Sequence, residues 1–425
     1  MKLQELSLFL SKKELFVFVF LTLFTLAYSL LIEFNNYTKL TQFNSNIVTA
    51  TVLKQYEKNR INKKGKSKSY QVLQLQSDEG FKFYTTAPLS LENVLEKSVI
   101  LEIWAGKISF YEYLTTFFAF SKIVSIDETA TLKERLNTYL FHAHTSKDVA
   151  SIYQALYTAK PLTRDLQTIF SNLGISHLFA ISGFHLGILS ALLLFLILKP
   201  YSFLHKSYFP YRNLRRDTFV LVSLVLLAYL LFLDSPPSLL RAFAMLIIGF
   251  ILYDRGVKII SMQTLFLTTI TLLALFPKLF FALGFWLSIA GVFYIFLFLI
   301  HFQNLSKKLQ FLLTPIWVYF VMLPFSLAIF SNFSLYHPLS IIWTTLFTLF
   351  YPLSILMHLI NLDTLFDFLL NYLLHLGENT TKVFLSPELL YTQILLSFGA
   401  VYKKSFLWPL LLLTLIIFLY AFTRL

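Results

Sequence analysis

LFVFVFLTLFTLAYSLLI, residues 15–32, runs without a single charged residue, with Lys12 and Lys13 before it and Glu33 after it. A helix that crosses the hydrocarbon of a bilayer needs roughly 20 mostly apolar residues, and this stretch meets that need. It is long for a secretion signal, and no small-x-small cleavage site follows, so it reads as a retained membrane helix. The two lysines at its start place that end in the cytoplasm.

Composition extends the reading to the whole chain. Of 425 residues 57% are hydrophobic and 13% charged, and 47 are Phe. Soluble domains run at about 45–50% apolar and about 25% charged, so an ordinary soluble enzyme, a disordered scaffold and a fibrous protein are excluded. Cysteine is absent, which removes disulfides, thiolate metal sites and cysteine nucleophiles. Against 22 Asp+Glu stand 35 Lys+Arg, a net charge of +13 whose location matters more than its size.

About ten apolar runs are long enough to read as spans: 15–32, then 178–198, 218–233, 238–252, 261–276, 279–300, 312–330, 338–360, 387–401 and 406–422. Alternating them puts Lys199, Lys206, Arg212, Arg215 and Arg216 on one cytoplasmic loop, with Arg255, Lys307, Lys308 and Arg424 on the same side, as the positive-inside rule asks. Lys278, Lys403 and Lys404 fall on the opposite side and count against the scheme. The segment 361–385 mixes Asp, Asn and Leu and reads as an interfacial amphipathic helix. The expected fold is a polytopic α-helical membrane protein with a small β-barrel, OB-like insert outside the cytoplasm. Its parts are a membrane helix over 1–34, the insert over 35–108, interfacial helices over 109–176 and a polytopic domain over 177–425.

The insert is read from its alternation. IVTATVL (47–53) and VILEIW (99–104) read as strands, and QVLQLQ (71–76) with FKFYTT (81–86) as a hairpin around DEG (78–80). Several short strands in about 60 residues fit a small barrel. Between the first two strands, KQYEKNRINKKGKSK (54–68) reads as a loop carrying Lys54, Lys58, Arg60, Lys63, Lys64, Lys66 and Lys68 against one Glu, net +6. A solvated surface loop explains such a run without any ligand. Clustered cations also neutralise phosphates, and small barrels hold single strands with cationic grooves and stacked rings, for which Tyr56, Tyr70, Phe81, Phe83 and Tyr84 are candidates. Anionic lipid headgroups are the competing partner.

Within the spans, SHLFAISGFHLG (176–187) sets His177, Ser182, Gly183 and His185 in apolar surroundings. Polar groups at membrane depth face protein or water and often line a pathway. Helix packing through small residues is the plainer account, and a Ser182/His185 nucleophilic pair is a third. LDSPPSLLRAFAMLIIG (233–249) breaks at Pro236–Pro237, offers Ser235 or Ser238 as a helix cap, and places Arg241 one turn inside. That arginine either snorkels to headgroups or faces a water-filled cavity where its charge attracts a polyanion. LGFWLSIAG (283–291) fits close packing. His142-Ala143-His144 with Asp148 imitates a metal cluster, yet no further ligands complete it; no catalytic residue, metal or cofactor is expected. No glycine-rich nucleotide loop occurs, so ATP hydrolysis by this chain is not expected.

These motifs resemble the ComEC competence-protein family. SHLFAISGFHLG is similar to that family's SHLLAISGLHVG, and LLAYLLFLDSPPSLLRAFAM (226–245) to its SPSxxRA segment. FALGFWLSIAG (281–291) resembles GFQLSFxAV, FSNFSLYHPLSIIW (330–343) resembles FSLLSPLANLL, and AKPLTRDLQTIFSNLG (159–174) fits the approach helix. The resemblance covers about 155–345. It implies a multi-pass channel of the bacterial cytoplasmic (inner) membrane that passes single-stranded DNA inward during natural transformation. His177, Ser182, Gly183, His185, Ser238 and Arg241 would then form a polar wall, and the basic run an outer DNA-binding loop. It also implies a periplasmic DNA receptor and a cytoplasmic motor or helicase as partners. Many relatives end in a metallo-β-lactamase-like domain; here the chain stops at Leu425 with no HxHxDH cluster, so a separate nuclease is expected. Two other classes remain: a transporter of a small or lipid-linked anion, and a membrane hydrolase using Ser182 and His185.

Overall fold

The computed structural model describes residues 11–61, 67–127, 131–179, 181–256, 259–378 and 381–425. Lys63, Lys64 and Lys66 lie outside the described residues, and for Arg60 and Lys68 only the backbone is described. The chain divides into two compact units, one of 11–136 with 270–282 and one of 137–269 with 283–425.

In the first unit, helix α1 (Lys12–Gln42) starts where the Ser11 hydroxyl accepts the Glu14 N–H at 3.2 Å, a cap that satisfies one of the free first-turn donors. Protein covers little of its apolar stretch, the condition of a helix solvated by lipid. It runs past residue 34 to Gln42, and this extension buries Leu40 in the core of the sheet that follows. The Asn46 amide then donates to the Leu40 carbonyl at 2.7 Å and turns the chain into the first strand.

The sheet comprises β1 (Asn46–Ile61), β2 (Ser67–Ser77), β3 (Lys82–Ala87), β4 (Ser98–Trp104), β5 (Phe117–Phe118) and β6 (Phe120–Ile126), with the short helix α2 (Phe110–Leu114) between β4 and β5. Alternation is strict where it matters: Val48, Ala50 and Val52, then Phe83, then Val99, Leu101 and Ile103 point inward and are buried. The expected hairpin is present, with β2 and β3 antiparallel around the turn at 78–80. Two expectations are corrected. The strands form a mixed six-stranded sheet in the order β5-β3-β2-β1-β4-β6, and the order does not close into a barrel. β5 spans only two residues and passes through Ala119 straight into β6, so no ladder joins the end strands. The sheet also takes in residues 117–126, which the sequence reading gave to interfacial helices.

Glu33 shows how this unit is tied to its membrane helix. Its carboxylate accepts from Lys278 Nζ at 2.8 Å and from the Tyr113 hydroxyl at 3.3 Å. The Lys278 ammonium also lies 4.7 Å from the centroid of the Tyr113 ring. Lys278, the cation that the topology scheme could not use, is thus the counter-ion of Glu33. Both side chains are mostly covered, which reduces solvent screening compared with a surface pair. A double-mutant cycle of Glu33→Gln and Lys278→Met, read by thermal unfolding of the detergent-solubilised chain, should give a coupling of about 1 kcal/mol. Independent, additive effects would show that the pair does not hold the unit together.

The second unit is mostly helical, and the helices over 132–143 and 262–275 belong to it only in part. α3 (Leu132–Ala143), α4 (Lys147–Thr158), α5 (Arg164–Asn172) and α6 (Ser176–Phe179) lead into α7 (Gly183–Tyr208), α8 (Leu214–Phe232), α9 (Pro237–Asp254), α10 (Met262–Leu275), α11 (Leu283–His301), α12 (Lys307–Phe330), α13 (Ser340–Leu359), α14 (Asp367–Leu376), α15 (Pro387–Tyr402) and α16 (Leu407–Phe422). Each apolar run read from the sequence overlaps one of the α-helices. The expected ten spans are not all matched: among the described residues six helices are long and apolar enough to cross a membrane, α1, α7, α11, α12, and those within 337–359 and 404–422. α10 and α15 are shorter, and α8 opens on Arg215, Arg216 and Asp217. Of the segment 361–385, only α14 is a regular α-helix among the described residues, and its Leu370, Leu373 and Leu374 face inward. Several polar groups between helices are satisfied internally, as lipid favours. The Tyr294 hydroxyl meets Ser397 Oγ at 2.8 Å, while Trp317 Nε1 donates to the Tyr294 carbonyl at 2.9 Å.

Candidate functional site

On the sheet, the described residues of the basic run are strand and not loop. Residues up to Ile61 belong to β1 and residues from Ser67 to β2, and the two pair antiparallel through Lys54↔Gln74, Lys58↔Tyr70 and Arg60↔Lys68. The run is therefore mostly the arms of a long hairpin, because its β-branched and aromatic neighbours continue the ladder past the core. Lys54 and Lys58 are exposed. Register carries Lys54 across to Gln74, then Tyr84, then Phe118, a row over four strands that leads from a cation to an exposed ring. Lys82 stands close by: burial, and then the nearby charge of Lys54, hold its ammonium below the usual lysine range. Of the rings proposed for stacking, Phe81 and Phe83 are ruled out, since both are buried with Phe117 in the core. Tyr56, Tyr70 and Tyr84 remain partly open, and exposed Phe118 and Phe120, in edge contact at 5.2 Å, join them without any signal in the sequence reading.

In the helical unit, five of the six polar-wall residues come together where α9 meets the start of α7. Ser182 is the N-cap of α7, its hydroxyl accepting the Phe184 N–H at 3.3 Å. His185 Nδ1 lies 3.2 Å from the Ser182 backbone N–H, which donates to it, and 3.1 Å from the Ser182 hydroxyl. The pair is thus a reciprocal cap, and it explains why α7 begins five residues later than the apolar run. The His185 ring is caged edge-on by Phe347 and Tyr351 of α13, at 5.1 and 4.9 Å.

Ser238 caps nothing, contrary to expectation. It sits inside the first turn of α9, whose N-cap is Pro236, and donates to the Ile181 carbonyl at 2.8 Å. This bond ties the starts of α7 and α9. Gly183 makes the approach feasible, since a Cβ there would stand 2.9 Å from Ala242 Cβ and 3.4 Å from Arg241 Nη2. Arg241 is 2% exposed and does not snorkel. His177 is placed differently: its ring is open and faces Thr344 of α13 at 3.3 Å.

Two histidines to which the sequence reading gives no role have partners. His337 is buried against Gly174, which has φ +69° and whose Cβ would lie 2.6 Å from the imidazole, and its Nδ1 is 3.1 Å from the Tyr319 hydroxyl. His144, part of the false metal motif, has Nδ1 2.9 Å from Asp367 Oδ1 and Nε2 3.2 Å from His358 Nε2. Tyr153 stacks on it at 4.4 Å. Among the described residues no group of three His, Cys, Asp or Glu is arranged to hold a metal ion.

The family model described as Competence protein matches residues 158–425, more than half of the chain and all of the α7–α9–α13 seam. The chain belongs to the competence protein family. With its apolar helices, membership makes it a membrane protein with a role in competence. An uncharacterized protein of Aquifex aeolicus (strain VF5) is 26% identical over 209 residues, 49% of this chain and 45% of its own length. The chain therefore spans less than half of that curated relative. No solved structure matches significantly.

The close approach at Gly183 makes a direct test. Gly183→Ala should cost about 1–3 kcal/mol, as overpacking of a tight contact does, and Ala242→Gly in the same chain should restore most of it. Equal thermal stability of Gly183→Ala and the parent in detergent would mean that the helices do not meet there.

Proposed function

We propose that this competence-family protein is a multi-pass protein of the bacterial cytoplasmic membrane that conducts single-stranded DNA inward during natural transformation. The observation that carries this reading is the row Lys54–Gln74–Tyr84–Phe118, with Lys82 beside it, at the base of the cationic hairpin. A face that offers cations at one end and open rings at the other suits a strand whose phosphates need neutralising and whose bases can stack. The cations draw the polyanion in from a distance, and the rings accept bases without regard to sequence. In the helical unit the strand passes His177, Ser182, Gly183, His185, Ser238 and Arg241.

No bond is broken along this route. Ser182 and His185 are occupied with each other and with the first turn of α7, which favours the passage over a hydrolase. Delivery by an external DNA receptor, strand degradation by a separate nuclease and pulling by a cytoplasmic motor or helicase complete the process. Anionic membrane lipids compete for the same outer cations.

The test uses the full chain in detergent with Lys54, Lys58, Arg60, Lys64 and Lys68 changed to Gln. Affinity for a labelled single-stranded oligonucleotide should fall. The slope of log affinity against log salt should become shallower by roughly 0.7 for each phosphate that the variant no longer neutralises. Unchanged affinity and slope would remove the hairpin from the DNA path.

A further inference from the structure

Arg241 is the group in the helical unit whose surroundings leave most undone. Its guanidinium has one acceptor, the Ser238 carbonyl, at a long 3.4 Å from Nη2. Nε and Nη1 are buried with no hydrogen-bond partner. A guanidinium removed from water without a counter-ion is costly to hold, and its fork of donors is shaped for a carboxylate or a phosphate.

The arginine faces a place that is already positive. Nη2 approaches Gly183, the first residue of α7, and the Ser238–Ile181 bond holds the first turn of α9 beside it. Both helices are long, and neither carries an acidic residue in its first turn. Two helix N-termini, each the positive end of its dipole, thus converge with an unpaired arginine. At the rim Gly183 is half-buried, and His177 and Phe184 are exposed.

We propose that Gly183 and Arg241 form a subsite for one phosphate oxyanion. Such a group is fully charged, accepts several hydrogen bonds at once and is the usual guest of a helix N-terminus. The guanidinium holds its oxygens, and the positive end of α7 lies beside them. The inference rests on the function proposed above only in naming the occupant as a phosphodiester of the passing strand; a phospholipid headgroup presents the same oxyanion.

The experiment uses the full chain in dodecyl maltoside, a phosphate-free detergent, with two probes: a ten-nucleotide oligothymidylate and short-chain phosphatidylglycerol. Thermal unfolding and binding are measured for the parent, Arg241→Met and Arg241→Lys. Without a probe, Arg241→Met should be as stable as the parent or more so, because it removes an unpaired buried charge. The oligothymidylate should raise the unfolding temperature of the parent by more than that of Arg241→Met, whose affinity should be lower by about tenfold or more. Arg241→Lys should fall between them. If only phosphatidylglycerol gives an Arg241-dependent rise, the subsite stands and the strand is not its occupant. If Arg241→Met is less stable than the parent without a probe, or gains as much as the parent from both probes, the arginine is structural and the subsite is wrong. That result would leave the salt dependence of the hairpin variant untouched, so the two failures are distinguishable.

Discussion

The contact on which the helical unit turns is the approach of α9 to the first residue of α7. It exists because Gly183 presents no Cβ to Ala242. Given that approach, the Ser238 hydroxyl reaches the Ile181 carbonyl, the Ser182–His185 cap faces the Phe347–Tyr351 wall of α13, and Arg241 is enclosed. Separating the helices by one methyl group would disturb all of these together. A seam this tight carries more unmet donors than packing alone calls for.

The sheet unit follows a different logic. Its interior is built from Val, Leu, Ile and the Phe81–Phe83–Phe117 cluster, so hydrophobic burial fixes which face points outward. The outward face is then left with Lys54, Tyr84 and Phe118 in register and Phe120 beside them. The same alternation that buries the core thus selects the residues available to a ligand. Glu33, Tyr113 and Lys278 anchor this unit to α1.

Local signals in the sequence are legible. Each long uncharged run becomes a helix because lipid allows a lone segment no other way to satisfy its backbone, and the 71–86 hairpin follows from period-two alternation around a turn. The Ser182 and His185 side chains stand out because both are polar in an apolar run. What stays hidden depends on distant partners. The bond between His144 and Asp367 joins residues 223 apart, and nothing near either one announces it. Lys278 looks misplaced until Glu33 stands beside it. The open sheet cannot be told from a barrel, since strand count says nothing about whether a two-residue strand such as Phe117–Phe118 closes the ladder. The basic run looks like a loop because charge hides β-pairing that only the opposite strand reveals.

The central claim is that single-stranded DNA crosses the membrane through this chain, and the most direct test is uptake in cells. A strain deleted for the gene should still bind labelled DNA at its surface but accumulate none in a nuclease-resistant cytoplasmic form. Supplying the chain in trans should restore uptake. Normal cytoplasmic accumulation in the deletion strain would contradict the account.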